Sequence, residues 1–294
     1  MLYQTEAPGD WGEMRATPGV RVGTEELTTP DGCSHFVRSW VTDAECVLLI
    51  MHGLGGHSAW YNDLGNVLSQ QSITVYALDH RGFGRSGGMS GHIDRYITYV
   101  DDIIFVLDTI RQRHPNARLH LLGHSMGGLF AVHTATRYGS KLSSLILLNA
   151  WIQDTSSIPL SIALGIAIGG LMRSRRYWTV AADTRTMTTN PEAIQMLQAD
   201  PLWGKRQTAS MLFQVLMMRL AALGKASGIS LPALVIQADD DAAVSIQTNR
   251  TLFERLASKD KNWKNYPDYH HDSQFEADRS QMDADLASWL HAHS

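Results

Sequence analysis

The chain has 294 residues, 44% of them hydrophobic and 18% charged, with a formal net charge of −4. That length buries a large core without help from disulfides or metals, and the mild acidity excludes a long-range pull toward nucleic acid or an anionic membrane. Two cysteines, Cys33 and Cys46, cannot form a secreted disulfide framework and predict buried thiols in a reducing, cytoplasmic compartment.

Residues 1–20 carry Pro8, Gly9, Gly12, Pro18 and Gly19 and predict an extended N-terminal arm. Glu6 and Asp10 interrupt any apolar leader, so no signal peptide is expected. A strand over 25–29, a Pro30-Asp31-Gly32 turn and a strand over 34–41 follow as a hairpin. The continuous apolar run 46–51 suits a strand covered on both faces. A short helix over 60–70, a strand over 74–79 and a helix over 96–114, stopped by Pro115, come next. The strand 119–122, the helix 128–138 and the strand 145–148 complete the first half. This alternation implies a mostly parallel sheet with helices on both faces. It breaks at residue 150, and up to about residue 230 there is no convincing strand, only helical patterns over 160–173, 191–198 and 205–223. The longest weakly polar stretch, 158–172, is short of the ~20 residues a membrane span needs. The rhythm returns with a strand over 231–238, a helix over 247–257, a strand over 263–266 and a helix over 280–291. The organisation expected is an arm (1–20), an α/β core in two parts (21–149 and 231–294) and an inserted helical cap (150–230).

Gly123-His124-Ser125-Met126-Gly127 fits G-x-S-x-G between a strand and a helix. That context makes a nucleophile elbow: a strained turn presents the serine, and small residues two before and two after let the chain close. A serine nucleophile needs a base, and the base needs an orienting acid. On such a sheet both belong in loops after later strands. Asp239-Asp240-Asp241 follows the strand 231–238, and His270-His271 follows the strand 263–266. Three adjacent carboxylates cannot all be buried and ionised. Asp241, four residues past Gln237, leads, with Asp239 next; of the two histidines only one can face Ser125. Oxyanion donors are expected from the Met126 amide and from the Leu54 amide in His52-Gly53-Leu54-Gly55. His52, His57, His80 and His124 lie near the site and are expected to serve as structural hydrogen-bonders.

Two other patterns do not hold up. Gly82-Phe83-Gly84-Arg85-Ser86-Gly87 matches G-x-G-x-x-G after a strand, but Gly88, Ser90 and Gly91 prolong the loop where a dinucleotide site would open a helix. The histidines lack metal-ligand spacing.

The motifs Met51–Ser58, Leu78–Ser86 and Leu122–Gly128 together resemble the serine hydrolases of the α/β-hydrolase superfamily. The branch most similar is the monoacylglycerol lipase and lysophospholipase-like one. Asn190-Pro191 and Ala199-Asp200-Pro201-Leu202 echo its cap. The resemblance implies the α/β-hydrolase fold, with Asp241 as the acid and His271, five residues before Glu276, as the base. It also implies an acyl-enzyme on Ser125, no cofactor or metal, and a lipid or small lipophilic ester as the substrate. The family's usual glycine after the strand-end glutamine is Ala238 here, and the doubled histidine and extra acids are departures. Ile158, Leu160, Ile162, Leu164, Ile166, Ile168 and Leu171, with Met211, Leu212, Val215, Leu216 and Met218, give the cap its apolar surface. Most of it is expected to fix the cap to the core, with a membrane-docking lid as the lesser expectation. Thioester or carbon–carbon hydrolysis, acyl transfer and a non-catalytic binding role are the competing functions.

Overall fold

The computed structural model describes residues 11–155, 159–179 and 183–294. The first half contains β1 (Arg21–Thr28), β2 (Ser34–Val41), β3 (Cys46–Met51), α1 (Asn62–Gln70), β4 (Thr74–Leu78), α2 (Ile97–Arg113), β5 (Arg118–His124), α3 (Met126–Tyr138) and β6 (Ser144–Leu148). After the insertion come β9 (Ala233–Ala238), α7 (Ile246–Arg255), β10 (Lys261–Tyr266) and α8 (Ser280–Ala292). Eight strands form one sheet in the order β1-β2-β4-β3-β5-β6-β9-β10. β1 and β2 pair antiparallel, as does β2 with β4; the remaining pairings are parallel.

Strand side chains alternate between two cores, as the period of two requires. Val47, Leu49 and Met51 of β3 join a cluster with α2 and α3, while Leu48 and Ile50 join one with α1 and α8. All six residues of β3 are buried, which explains why its sequence shows no polar alternation. Residues 11–20 run extended along α1: Asn62 Nδ2 donates to the Gly12 carbonyl, and the Arg15 amide donates to Asn66 Oδ1. Residues 1–10 of the expected arm lie outside the described residues.

The insertion between β6 and β9, here called the cap, contains α4 (Leu160–Leu171), β7 (Tyr177–Thr179), α5 (Pro191–Ala199), β8 (Arg206–Thr208) and α6 (Ala209–Ala226). Two expectations are corrected here. The cap does contain strands: β7 and β8 pair antiparallel, with Arg206 stacked over the Tyr177 ring. At three residues each, they are too short to leave a period-two pattern. The longest apolar helix is α6, which by length and composition could cross a membrane. Its Met211, Val215, Met218 and Ala222 instead pack into the core cluster beside α3.

Candidate active site

Ser125 is the single residue between β5 and α3, held at φ 52 and ψ −116. A side chain in this left-handed region is strained, and the flanking glycines make it possible. A Cβ on Gly123 would run into the Gly127 carbonyl, and one on Gly127 into that of Met51. Backbone bonds fix the turn from β6: the Ser125 amide donates to the Leu148 carbonyl (2.9 Å), and the Trp151 amide donates to the Ser125 carbonyl (2.9 Å).

The loops after β9 and β10 bring their side chains to this serine. His271 Nε2 lies 2.8 Å from Ser125 Oγ, and its Nδ1 lies 2.8 Å from Asp241 Oδ2. Because the carboxylate only accepts, Nδ1–H donates to Asp241 and Nε2 accepts from the Ser125 hydroxyl. Asp241 Oδ1 accepts from the Ala243 and Val244 amides at 2.8 and 3.0 Å. Burial pushes the Asp241 carboxyl up, but the His271 charge and hydrogen bond and the two amides outweigh it and hold the carboxyl below its usual range. Burial likewise pushes the His271 imidazole down, while the Asp241 charge and hydrogen bond, with Asp272 adding, raise it above its ordinary value. All three residues are buried.

The neighbours that left the sequence ambiguous face elsewhere. Asp239 and Asp240 are exposed, and Asp239 accepts from Asn265 Nδ2. The His270 ring lies beside Glu276, 3.4 Å from Oε1. Glu276 also accepts from the His270 amide and the Thr189 hydroxyl, so it anchors the loop rather than touching Ser125.

Among the described residues, the Leu54 and Met126 amides donate no hydrogen bond. The Gly53 carbonyl, in the same peptide unit as the Leu54 N–H, accepts from His52 Nδ1 (2.7 Å) and from the Gly56 amide (3.2 Å). Burial pushes His52 down to about 3, so its ring is neutral, and Nε2 accepts from the His80 amide. His124 is also driven to about 3, by burial and then by the His271 charge. Its Nε2–H donates to the His271 carbonyl (3.0 Å), and its Nδ1 accepts from the Tyr61 hydroxyl (3.0 Å). The imidazole that bonds Ser125 Oγ is that of His271.

Several residues at the site are assigned no role from the sequence. Asp200, following α5, accepts on Oδ2 from Trp11 Nε1, His57 Nε2 and Trp60 Nε1, each at 2.8 Å, and so ties the cap to the core. The Gly204 amide donates to the Gly55 carbonyl (2.8 Å), beside the Leu54 amide. Asp272 is buried next to the base, and burial pushes its carboxyl up to about 6. Asn149 closes β6 with a side chain that reaches the His271 loop. Only its place immediately after an apolar strand run could have drawn attention to it. Asp102, in α2 and well past the rejected glycine pattern, holds Arg81 through two hydrogen bonds.

Fold and site together define a serine hydrolase on the α/β-hydrolase fold. Residues 42–278 match the family model described as serine aminopeptidase, S33. The chain belongs to that family and resembles its monoacylglycerol lipase-like branch. It is 27% identical over 277 residues to a monoacylglycerol lipase of Mycolicibacterium smegmatis, covering 94% of each chain. It is 25% identical over 254 residues to human monoglyceride lipase, covering 83% of this chain and 82% of that one. A soluble variant of monoglyceride lipase from Saccharomyces cerevisiae, solved with a substrate analogue, superposes with a TM-score of 0.84 at 18% identity, covering 98% and 99% of the two chains. The chain is a carboxylic ester hydrolase.

Proposed function

We propose that the chain cleaves monoacylglycerols or similar fatty-acid monoesters through an acyl-enzyme on Ser125. The observation that carries this is the buried relay Ser125–His271–Asp241, closed by two hydrogen bonds of 2.8 Å. Ser125 Oγ attacks the ester carbonyl carbon while its proton passes to His271 Nε2. Asp241 holds the imidazolium, and the Leu54 and Met126 amides receive the tetrahedral oxyanion. Collapse breaks the ester C–O bond, and His271 gives its proton to the departing alcohol. Water then attacks the acyl carbon, its proton passes to His271 and on to Ser125 Oγ, and the fatty acid leaves. The names of the relatives support the glycerol ester, and the apolar cap supports a long acyl chain.

A rate series on p-nitrophenyl esters of increasing chain length tests this. Wild type should be most active on medium or long chains. Ser125→Ala and His271→Ala should be inactive, and His270→Ala active. A folded wild type inactive on every chain, or activity indifferent to Ser125→Ala, overturns the proposal. Matched thioesters in the same series expose a preference for that bond.

The cap also bears on where the substrate is met. On α4, Leu160, Leu164, Ile168 and Leu171 are 84, 57, 51 and 75% exposed and recur at helical spacing along one stripe. Exposed Arg173, Arg175, Arg176 and Arg206 fringe its C-terminal end. An apolar stripe rimmed by arginines suits transient contact with a lipid surface. Ile166 is buried, at 8% exposure, so substitutions that probe this face belong at Leu164 and Ile168. Ile158 lies outside the described residues. Vesicles containing anionic lipid should carry wild type in a flotation gradient and leave Leu164→Glu/Ile168→Glu behind; wild type that stays behind ends this part of the proposal.

A further inference from the structure

The three residues of the relay come from three separate loops, and the backbones of Ser125, His271 and the strand end that leads to Asp241 are all bonded to one short segment, residues 148–151. Ser125 is bonded to it through both its amide and its carbonyl. At its centre Asn149 is fully buried, with φ 45, a left-handed conformation that asparagine tolerates better than most residues. Its Nδ2 donates to the His271 carbonyl (2.7 Å) and to Ser273 Oγ (2.8 Å). Its Oδ1 accepts from the amide of Ala238 (2.8 Å), the last residue of β9 and three before Asp241. His124, next to Ser125, supplies the second donor to the same His271 carbonyl.

We infer that Asn149 is the positioning residue that sets His271 between Ser125 and Asp241. This rests on the roles proposed above for those three residues. The site asks for one side chain with two donors toward oxygen acceptors and one acceptor toward an amide, which is the inventory of a carboxamide. Aspartate in its place keeps the acceptor for Ala238 but turns oxygen lone pairs toward the His271 carbonyl and Ser273. The imidazole has a partner at 2.8 Å on each side, so a displacement of its backbone stretches at least one of the two bonds. Reacting groups tolerate such displacement poorly: a shift of ~1 Å costs about 10²-fold in rate.

The test compares the wild-type chain with Asn149→Asp, Asn149→Ser and a control, Asn66→Ala. The control removes another buried asparagine, on α1, whose Oδ1 accepts from Trp40 Nε1 and whose Nδ2 donates to the Glu13 carbonyl. Three quantities are read: cooperative melting, kcat and KM on the best p-nitrophenyl ester, and the low-field proton resonance of the His271 Nδ1–H bonded to Asp241. The expected result is cooperative melting throughout. In both Asn149 variants kcat should fall about 10²-fold with KM within about twofold, and the low-field proton should be lost or shifted. The control should melt earlier but keep its kcat and its proton. A folded Asn149 variant with wild-type kcat and an unmoved proton overturns the inference. So does a control that loses kcat equally, or a loss of cooperative melting in both Asn149 variants. If wild type hydrolyses no ester, the proposed function fails, while the proton resonance still decides the role of Asn149.

Discussion

Around Ser125, the ends of β3, β5, β6, β9 and β10 and the loops after them bury His52, His124, Asn149, Asp241 and His271, and each of these side chains is hydrogen-bonded to a neighbouring segment. On α4 the same chain leaves five large apolar side chains in water. In the core, a neutral His52 and a neutral His124 serve as fixed donors because burial removes their charge. In the cap, the strands are three residues long and one buried carboxylate, Asp200, gathers three of the donors that hold it down. The difference teaches what each arrangement suits. Atoms held to fractions of an ångström need polar groups that are paired, while the encounter proposed for α4 needs a surface where apolar groups are not.

That contrast can be broken at points of decreasing force. Ser125→Ala should abolish turnover, a loss on the order of 10⁶ in kcat, and should leave the thermal melt almost where it was. A melt that collapses would mean the serine holds the fold and not the reaction. Asp241→Asn should lower kcat by roughly 10⁴-fold through the wrong imidazole tautomer. It should also move the pH profile. His271 must be neutral to accept the serine proton, and its folded-state value lies above the ordinary one. Wild-type kcat/KM should therefore fall as pH drops through a value above 6.5. Without the Asp241 anion that limb should shift to lower pH, and an unshifted limb would assign it to another group.

Asp200→Ala leaves three buried donors unpaired and should destabilise the chain by about 3 kcal/mol, read by urea unfolding. An unchanged midpoint would mean that the cap is held by apolar packing alone. At the smallest end, Leu164→Ser should change stability by less than ~0.5 kcal/mol, because the side chain is already in water. A large loss would show that α4 is packed in solution and not free to meet a surface.

Much of the core was legible in the sequence because its constraints are local. A doubly covered strand must be apolar throughout, as 46–51 is, and a nucleophile elbow must have small residues where Gly123 and Gly127 stand. Ser125 follows from those alone. The choice between Asp239 and Asp241, or between His270 and His271, is another kind of question. Adjacent residues of one type differ only in which side of a loop they face, and no composition encodes that; family register supplied it. Asp200 and Asn149 act across 143 and 122 residues of chain, and their partners could be matched only once the sheet had been closed. β7 and β8 were invisible for the opposite reason, being too short to carry a pattern at all.

The bond from the Gly204 amide to the Gly55 carbonyl gives the enzyme a mechanical linkage. Gly55 is the next residue after Leu54, so the cap and the loop that carries the proposed oxyanion donor share one hinge pin. Any displacement of the cap that carries residue 204 away must either snap that pin or drag the Leu54 peptide with it. The position of the cap and that of the Leu54 peptide are thereby coupled through a single backbone bond.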